Sequence, residues 1–463
     1  MESRRLPGRA HRRGLGGVVL ALALAGPLAA QGAGGAGALN IPFERYTLAN
    51  GLEVILTPDK ATPVVTVDVW YHVGSRNERA GRTGFAHLFE HMMFQGSANV
   101  GKGEHMTLVE RAGGDMNGST SEDRTNYFET LPANRLNLGL WLEADRMKSL
   151  AVTQANLDNQ REVVKEERRM RVDNAPYGSA IMAALYTAPY AASCSAYGHE
   201  VIGSMEDLNA AKVADVQDFF ATYYAPNDAT LAVTGDFEPA QAKALIEQYY
   251  GAIPSHAAAA AVTCEKPFAD LPKKLVLEDR NAKLPAVLLS YGAVAAGDPD
   301  EPALSLLATM LGQGESSRLN ERLVKQERAA LQAMTFFMAR RGPGIFVAAA
   351  FANQGVEPAR LQSLIEEEVA KVREQGVTPA ELDKARAQYR AQTLDQLQTS
   401  MGRAETLNRA AVFLGDPALA RTDLARYAAV TVADIQRVAN KYLVPTNVAV
   451  VIAQPASGKG VTP

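Results

Sequence analysis

Val213-Ala214-Asp215-Val216-Gln217 is met again late in the chain as Val432-Ala433-Asp434-Ile435-Gln436. The match holds in register as the reading moves outward. Tyr223 meets Tyr442, Pro226 meets Pro445, and the strand pattern at 230–233 meets the one at 449–452. One helix–proline–strand unit therefore closes two halves of the chain. Identities kept in register over about twenty positions point to an internal duplication. Between the halves, the alanine run after His256, flanked by Pro254 and Pro267, reads as a linker. These signals divide the chain into an N-terminal domain at 40–255, a linker at 256–271, a C-terminal domain at 272–455 and a tail at 456–463. Strand patterns at 52–56, 63–73, 123–131 and 230–234 alternate with helix patterns at 83–95, 132–149, 153–171 and 212–224. The expected class is α+β, two homologous domains, each a mainly antiparallel sheet with helices packed on it.

A chain of 463 residues suits two domains of about 200 each. With 47% hydrophobic and 21% charged residues it has the balance of a soluble globular protein. The net charge of −4 offers no basic excess, so nothing in the bulk charge favours nucleic acid or anionic membranes. Residues 1–30 read as a secretory signal peptide: Arg4, Arg5, Arg9, Arg12 and Arg13 precede an apolar run at 14–25, then Gly26-Pro27 and the small residues Ala29 and Ala30. An uncleaved anchor is the alternative. A Gly/Ala-rich tether at 31–39 follows, and no later segment is apolar enough to span a bilayer. The expected location is periplasmic or secreted. Export permits a disulfide between Cys194 and Cys264, the only two cysteines; two separate thiols remain the other reading.

The chemistry is concentrated in Gly84-Phe85-Ala86-His87-Leu88-Phe89-Glu90-His91-Met92-Met93-Phe94. On a helix, His87 and His91 stack on one face and Glu90 shares it. Two imidazoles so placed can grip one Zn²⁺ while the carboxylate reaches a water on the metal, the reverse order of the commoner H-E-x-x-H motif. The strongly apolar flanks make a merely solvated face a poor account, because buried His and Glu without a partner are costly. A third ligand is needed. Helix 153–171 carries Gln160, Val163, Val164 and Glu167 on one face. Glu167 is either an inward carboxylate or the polar edge of an amphipathic face, and a site short of one ligand favours the first. Glu166, about 100° round the helix, reads as solvated.

At these residues the chain resembles the pitrilysin/insulinase family, which includes mitochondrial processing peptidase. The resemblance is carried by Leu48-Ala49-Asn50-Gly51-Leu52, Val73-Gly74-Ser75-Arg76-Asn77-Glu78 and the zinc helix with Phe94-Gln95-Gly96-Ser97. It continues through Gly113-Gly114-Asp115-Met116-Asn117, Thr125-Asn126-Tyr127-Phe128, Arg161-Glu162-Val163-Val164-Lys165-Glu166-Glu167 and Tyr197-Gly198-His199. It implies two similar α+β domains forming half of a clamshell, one zinc per chain, and a third ligand that falls on Glu167. It places Gln160 where the family often has a Glu near that ligand, as an outer neighbour of the metal. The family's substrate adds itself to an edge strand. This implies that 123–131 adjoins the substrate, that Asn126 and Tyr127 contact it, and that Asn117, in the turn before, helps hold its backbone.

One departure bears on partners. Complete members of the family carry an Arg and, seven residues later, a Tyr in the second half of the molecule. Arg322 is followed at that distance by Ala329, and no Tyr stands between Tyr291 and Tyr389. Arg318 reads instead as closing a turn or capping a helix. The expectation is a zinc endopeptidase of unfolded peptides, with Glu90 as general base. It would be completed by a homologous subunit that carries the Arg/Tyr pair and lacks the zinc motif, or else by a second copy of itself. A non-catalytic scaffold subunit and a metal-storage protein are the competing classes; the intact set of His87, Glu90, His91 and Glu167 argues against both.

Overall fold

The computed structural model describes residues 39–456. The expected signal peptide, most of the tether and most of the tail lie outside the described residues. Two sheets organise the rest. The first contains β1 (Glu44–Thr47), β2 (Glu53–Pro58), β3 (Val64–Tyr71), β4 (Asp115–Thr120), β5 (Thr125–Pro132) and β6 (Ala229–Gly235), in the order β1-β2-β6-β3-β5-β4. The second contains β7 (Lys273–Asp279), β8 (Ala286–Gly292), β9 (Ala330–Met338), β10 (Ile345–Ala352) and β11 (Val448–Pro455), in the order β7-β11-β8-β10-β9. Each is antiparallel apart from one parallel pair, β2 with β6 and β7 with β11. Strands β2 to β6 thus occupy the same places as β7 to β11, and the fold is α+β, as the duplicated sequence predicts. The repeated unit is visible in both: helix Val213–Tyr223 runs through Pro226 into β6, and helix Val432–Tyr442 runs through Pro445 into β11.

Strands β6 and β8 are buried at every position, which requires helices on both faces. Each half supplies one of those layers to the other. Helix Ser400–Leu414, from the second half, packs Ala404, Leu407, Ala410 and Ala411 against Ile55 and Ala232 of the first sheet. Reciprocally, Ala180, Ala184 and Ala188 of the first half pack against Ala286, Leu288, Ala449 and Val451 of the second sheet. Alanine on both sides lets the backbones approach closely. Both exchanged segments lie shortly before the repeated closing unit of their own half.

Polar contacts fix the exchange. Asp68, fully buried in β3, accepts from Asn408 Nδ2 at 2.9 Å, Trp70 Nε1 at 2.9 Å and Asn126 Nδ2 at 3.0 Å. Thr66 and Ser400 share a hydroxyl contact of 2.7 Å. The tips of the β4–β5 and β9–β10 hairpins also meet: Glu122 pairs with buried Arg340 at 2.8 Å, and Asp123 accepts from the Arg341 backbone N–H at 2.9 Å and from Tyr197 Oη at 2.7 Å. Segment 256–271 carries no strand and no helix, and Cys264 within it is bonded to Cys194, with Cα atoms 4.4 Å apart.

Burial pushes Asp68 from 3.8 up to about 7, against the pull of the hydrogen bonds from Asn126 and Asn408. A carboxyl with a raised folded-state pKa contributes stability that is fully present below about 4 and is lost as pH rises through about 7. Asn408→Ala removes a donor that favours the ionised form. It should destabilise the chain by about 1–3 kcal/mol, and by more at pH 8 than at pH 5. Urea denaturation at the two pH values measures this; an equal loss at both would separate Asp68 from the effect.

Candidate metal centre

The zinc motif lies on α1 (Phe85–Met92). Phe85, Ala86, Leu88, Phe89 and Met92 are buried in the first core, which leaves His87, Glu90 and His91 on the remaining face. The start of α1 is tightly defined. Gly84 has φ +85°, and a Cβ there would come within 2.6 Å of the Ile202 carbonyl oxygen. No side chain of the preceding residue caps the helix. Instead the fully buried carboxylate of Glu78 accepts from the N–H of Gly84 at 2.8 Å and of Ala86 at 2.7 Å. Burial raises Glu78 well above the usual carboxylate range, against the pull of those two bonds, and its oxygens satisfy orphan donors of the helix N-terminus.

Downstream, α2 (Glu104–Arg111) precedes the edge strand β4, and α3 (Leu136–Ser149) covers the sheet. Helix α4 (Gln154–Arg168) begins at Thr153, whose side chain accepts from the Asn156 N–H at 3.2 Å. It packs Leu157, Gln160 and Val164 inward and brings Glu167 to α1. Glu167 Oε2 lies 3.3 Å from His91 Nε2 and 3.7 Å from His87 Nε2. Tetrahedral zinc with ligands at about 2.0–2.1 Å needs donor atoms roughly 3.3–3.5 Å apart. One donor atom from each of the three residues falls within 4.8 Å of the others, so they fit such an ion with little movement. Gln160 Oε1 stands 3.3 Å from His91 Nδ1; an Nδ1–H donated there leaves Nε2 free as a ligand. Glu166 points to solvent and pairs with Arg169 at 2.9 Å.

The electrostatics are those of a site built around a cation. Burial, reinforced by His91, lowers His87 to about 4 and keeps it neutral, the form a metal needs. Burial pulls His91 down too, but the contact with Glu167 outweighs it and leaves His91 raised. The His91 contact holds Glu167 below the usual carboxylate range against desolvation, with His87 and Arg171 adding to the effect. Burial raises Glu90, opposed by the Thr120 hydroxyl, which donates to Oε2 at 2.5 Å. That bond ties Glu90 to the end of β4.

These groups line a cavity of about 580 Å³. Phe94, Met106 and Met116 form an apolar part, β4 contributes Asn117 to Thr120, and Arg171 stands beside Glu167. Three expectations need correction here. The free edge belongs to β4, which pairs only with β5, so residues 123–131 are one strand further in. Asn117 therefore sits within the edge strand and not in a turn; the glycine-rich stretch around it reads as a turn until pairing with β5 overrides local propensity. Asn126 and Tyr127 do not reach the cavity. Both are fully buried, Asn126 bonded to Asp68 and Tyr127 Oη 3.2 Å from Tyr224 Oη, so their side chains offer a substrate nothing.

Sequence reasoning missed the helix cap Glu78 and also a buried charge cluster behind the cavity. His105, Glu129, Glu143 and Arg146 come together there, and Arg146 lies over Phe94 at 5.3 Å and Tyr127 at 4.5 Å. The cluster supports the cavity floor through Phe94. No spacing rule reveals it, since its members come from α2, β5 and α3.

Residues 53–195 match the family model described as insulinase, peptidase family M16, and residues 210–389 match the one described as the peptidase M16 inactive domain. The latter falls mostly on the second half, which has no histidine after His256. The chain is 33% identical over 416 residues to the zinc protease PqqE of Helicobacter pylori, covering 89% of this chain and 93% of that one. It is 24% identical to a probable mitochondrial-processing peptidase subunit beta of Arabidopsis thaliana, over 89% of this chain and 78% of that one. Among solved structures, a protease from Helicobacter pylori superposes with a TM-score of 0.85 at 32% identity, covering 89% of this chain and 99% of that one. The periplasmic protease PqqL from Escherichia coli has the same fold, with a TM-score of 0.72 at 19% identity; the match takes in 90% of this chain and 48% of PqqL.

Glu78→Ala leaves two buried helix N–H groups without an acceptor, at about 1–3 kcal/mol each. A clear drop in melting temperature is expected, with weaker zinc binding by the loosened α1. Glu78→Gln, which keeps one acceptor, should fall between. Wild-type melting of the Ala variant would exclude Glu78 as the anchor of the metal helix.

Proposed function

The chain belongs to the insulinase family of peptidases, family M16, and on that footing we propose that it is an exported zinc endopeptidase acting on unfolded peptides. The observation that carries the reading is the convergence of His87, His91 and Glu167 on one point beside Glu90, at the wall of a cavity bounded by a free strand edge. His87 Nε2, His91 Nε2 and Glu167 Oε2 would hold the ion. Bound there, zinc supplies Lewis acidity at the scissile carbonyl and an acidified water. The protein's residues do the rest. The free edge of β4 pairs with the peptide backbone and aligns it across the site. Glu90 takes a proton from the attacking water and passes it to the leaving nitrogen, with the Thr120 hydroxyl fixing the carboxylate's orientation. Gln160 orients His91. Export is supported by the signal-like segment at 1–30 and by the bonded Cys194 and Cys264, which suit an oxidising compartment.

A partner half completes the proposal. This chain matches about half of PqqL, and a crystal structure of the first half of PqqL matches it as well. Arg322, the candidate for such an Arg, and Arg318 are engaged within their own half: Arg318 pairs with Glu381 at 2.6 Å and Arg322 with Glu327 at 2.8 Å. We assign the missing Arg/Tyr pair to a homologous subunit without the zinc motif, with a homodimer as the rival.

Glu90→Gln should keep one zinc per chain and lose turnover by about 10²–10⁴-fold; a zinc-loaded Glu90→Gln protein of normal activity would remove Glu90 from proton transfer. Glu167→Ala should weaken zinc by more than the roughly 10–100-fold that an outer neighbour's loss causes, whereas Glu166→Ala should bind it normally. Chelation at neutral pH should abolish cleavage of an unstructured peptide, and Zn²⁺ should restore it. For the partner, mass and activity of the purified chain decide. A fully active homodimer that gains nothing from a motif-free homologue would sink the heterodimer.

A further inference from the structure

Arg171 follows Glu167 by one helical turn, where α4 widens into the π-turn Arg169–Asp173. Such turns re-aim side chains and occur often at functional sites. Its Nη1 lies 2.7 Å from Glu167 Oε1, the oxygen turned away from the two imidazoles. The side chain is 75% exposed yet lines the cavity, and it is the one Lys or Arg among the described residues that do so. A guanidinium has five donors in a planar fork, and the contact to Glu167 leaves the others open to further partners. The other carboxylate that lines the cavity, Glu90, is engaged by the Thr120 hydroxyl.

We infer that Arg171 is a specificity-determining residue that selects peptides with an acidic side chain beside the scissile bond. The inference rests on the peptidase reading above. A peptide paired with β4 crosses the site, and its side chains alternate between the two faces of the sheet it extends. Those on the face that α1 and α4 occupy enter the cavity that Arg171 lines together with the apolar group Phe94, Met106 and Met116. Glu167 does not cancel the charge once its own charge is shared with a divalent ion. A carboxylate of the substrate then completes the fork with charge-assisted hydrogen bonds.

The test uses binding as well as turnover. Zinc-loaded full-length Glu90→Gln chain is titrated with labelled unstructured peptides of one composition, in which Glu, Gln or Lys is scanned through each position. Zinc content is measured for every variant. The expected result is about five- to tenfold tighter binding of a Glu peptide than of its Gln counterpart at one or two positions, fading with added salt. Adding Arg171→Gln should erase the preference, Arg171→Lys should keep a weakened one, and Arg171→Glu should turn it toward Lys. In chains with intact Glu90 the same ratios should appear in kcat/KM. An Arg171→Gln variant that lowers zinc affinity but leaves the Glu preference unchanged overturns the proposal and leaves Arg171 a neighbour of the metal ligand only. Absence of any Glu preference in the parent overturns it too. A zinc-loaded parent that binds none of the peptides sinks the peptidase reading itself, and this inference with it.

Discussion

Burial of both faces of both sheets is the constraint on which the rest depends. Strands such as Ala229–Gly235 and Ala286–Gly292 carry no polar face to turn to water, so each sheet must be covered twice. Each half has helices for one face and borrows the cover for the other. The borrowed helix Ser400–Leu414 sits on β3 and β6, and those strands hold β5 and then β4 in register. The edge strand beside the candidate metal ligands is thereby positioned through packing supplied by the other half of the chain. Neither half is a self-sufficient layer structure, and the second half contributes to the site without offering it a side chain.

The same logic of burial explains why the site has the charges it has. Helix α1 is only two turns long, and its apolar residues draw it into the core. That carries His87, Glu90 and His91 to a place where ionisation is costly. Burial then splits the group: His87 is forced neutral, Glu90 is pushed toward protonation, and His91 and Glu167 keep charge only by leaning on each other. A divalent cation bound there would take the place of the proton that His91 and Glu167 otherwise share. Burial raises Glu78 well above the usual carboxylate range as well, against the pull of the two backbone N–H groups it accepts from at the start of α1.

What could be read from sequence was what periodicity and spacing encode. Val213-Ala214-Asp215-Val216-Gln217 and its copy at 432–436 disclosed the duplication because identical local units keep identical patterns. His87, Glu90 and His91 were legible because one helix holds all three, and Glu167 because that set lacked a third ligand; the face count by itself also turned Val163 inward, and Val163 is exposed. Residues whose role depends on a distant element were not legible. The exchange of Ala180 and Ala404 between halves leaves no trace in local pattern. Glu78 caps a helix six residues on, through a loop whose course sequence does not give. Asn126 and Tyr127 lie in a motif shared with the family, and that motif turned out to concern Asp68 and the core. Asp115 to Thr120, poor in strand formers, became an edge strand because β5 was there to pair with it.

The duplication also explains an asymmetry. The two sheets have equivalent edges, β4 in one and β9 in the other, so the ancestral unit offered each half the same free strand. Only the first half has the imidazoles to use it, since no histidine follows His256. A metal centre needs three ligands from two helices, a carboxylate base and a neutral His held by burial, and losing any one of them makes the others a liability in a buried place. A half that lost its ligands would come under pressure to lose the remaining charges from its cavity. The second half keeps instead the features that serve the first: the alanine face of Ser400–Leu414, Asn408 against Asp68, and Arg340 against Glu122. Duplication thus separates the two demands on one fold, with the candidate metal cluster in the first copy and the packing that holds its edge strand in place supplied by the second.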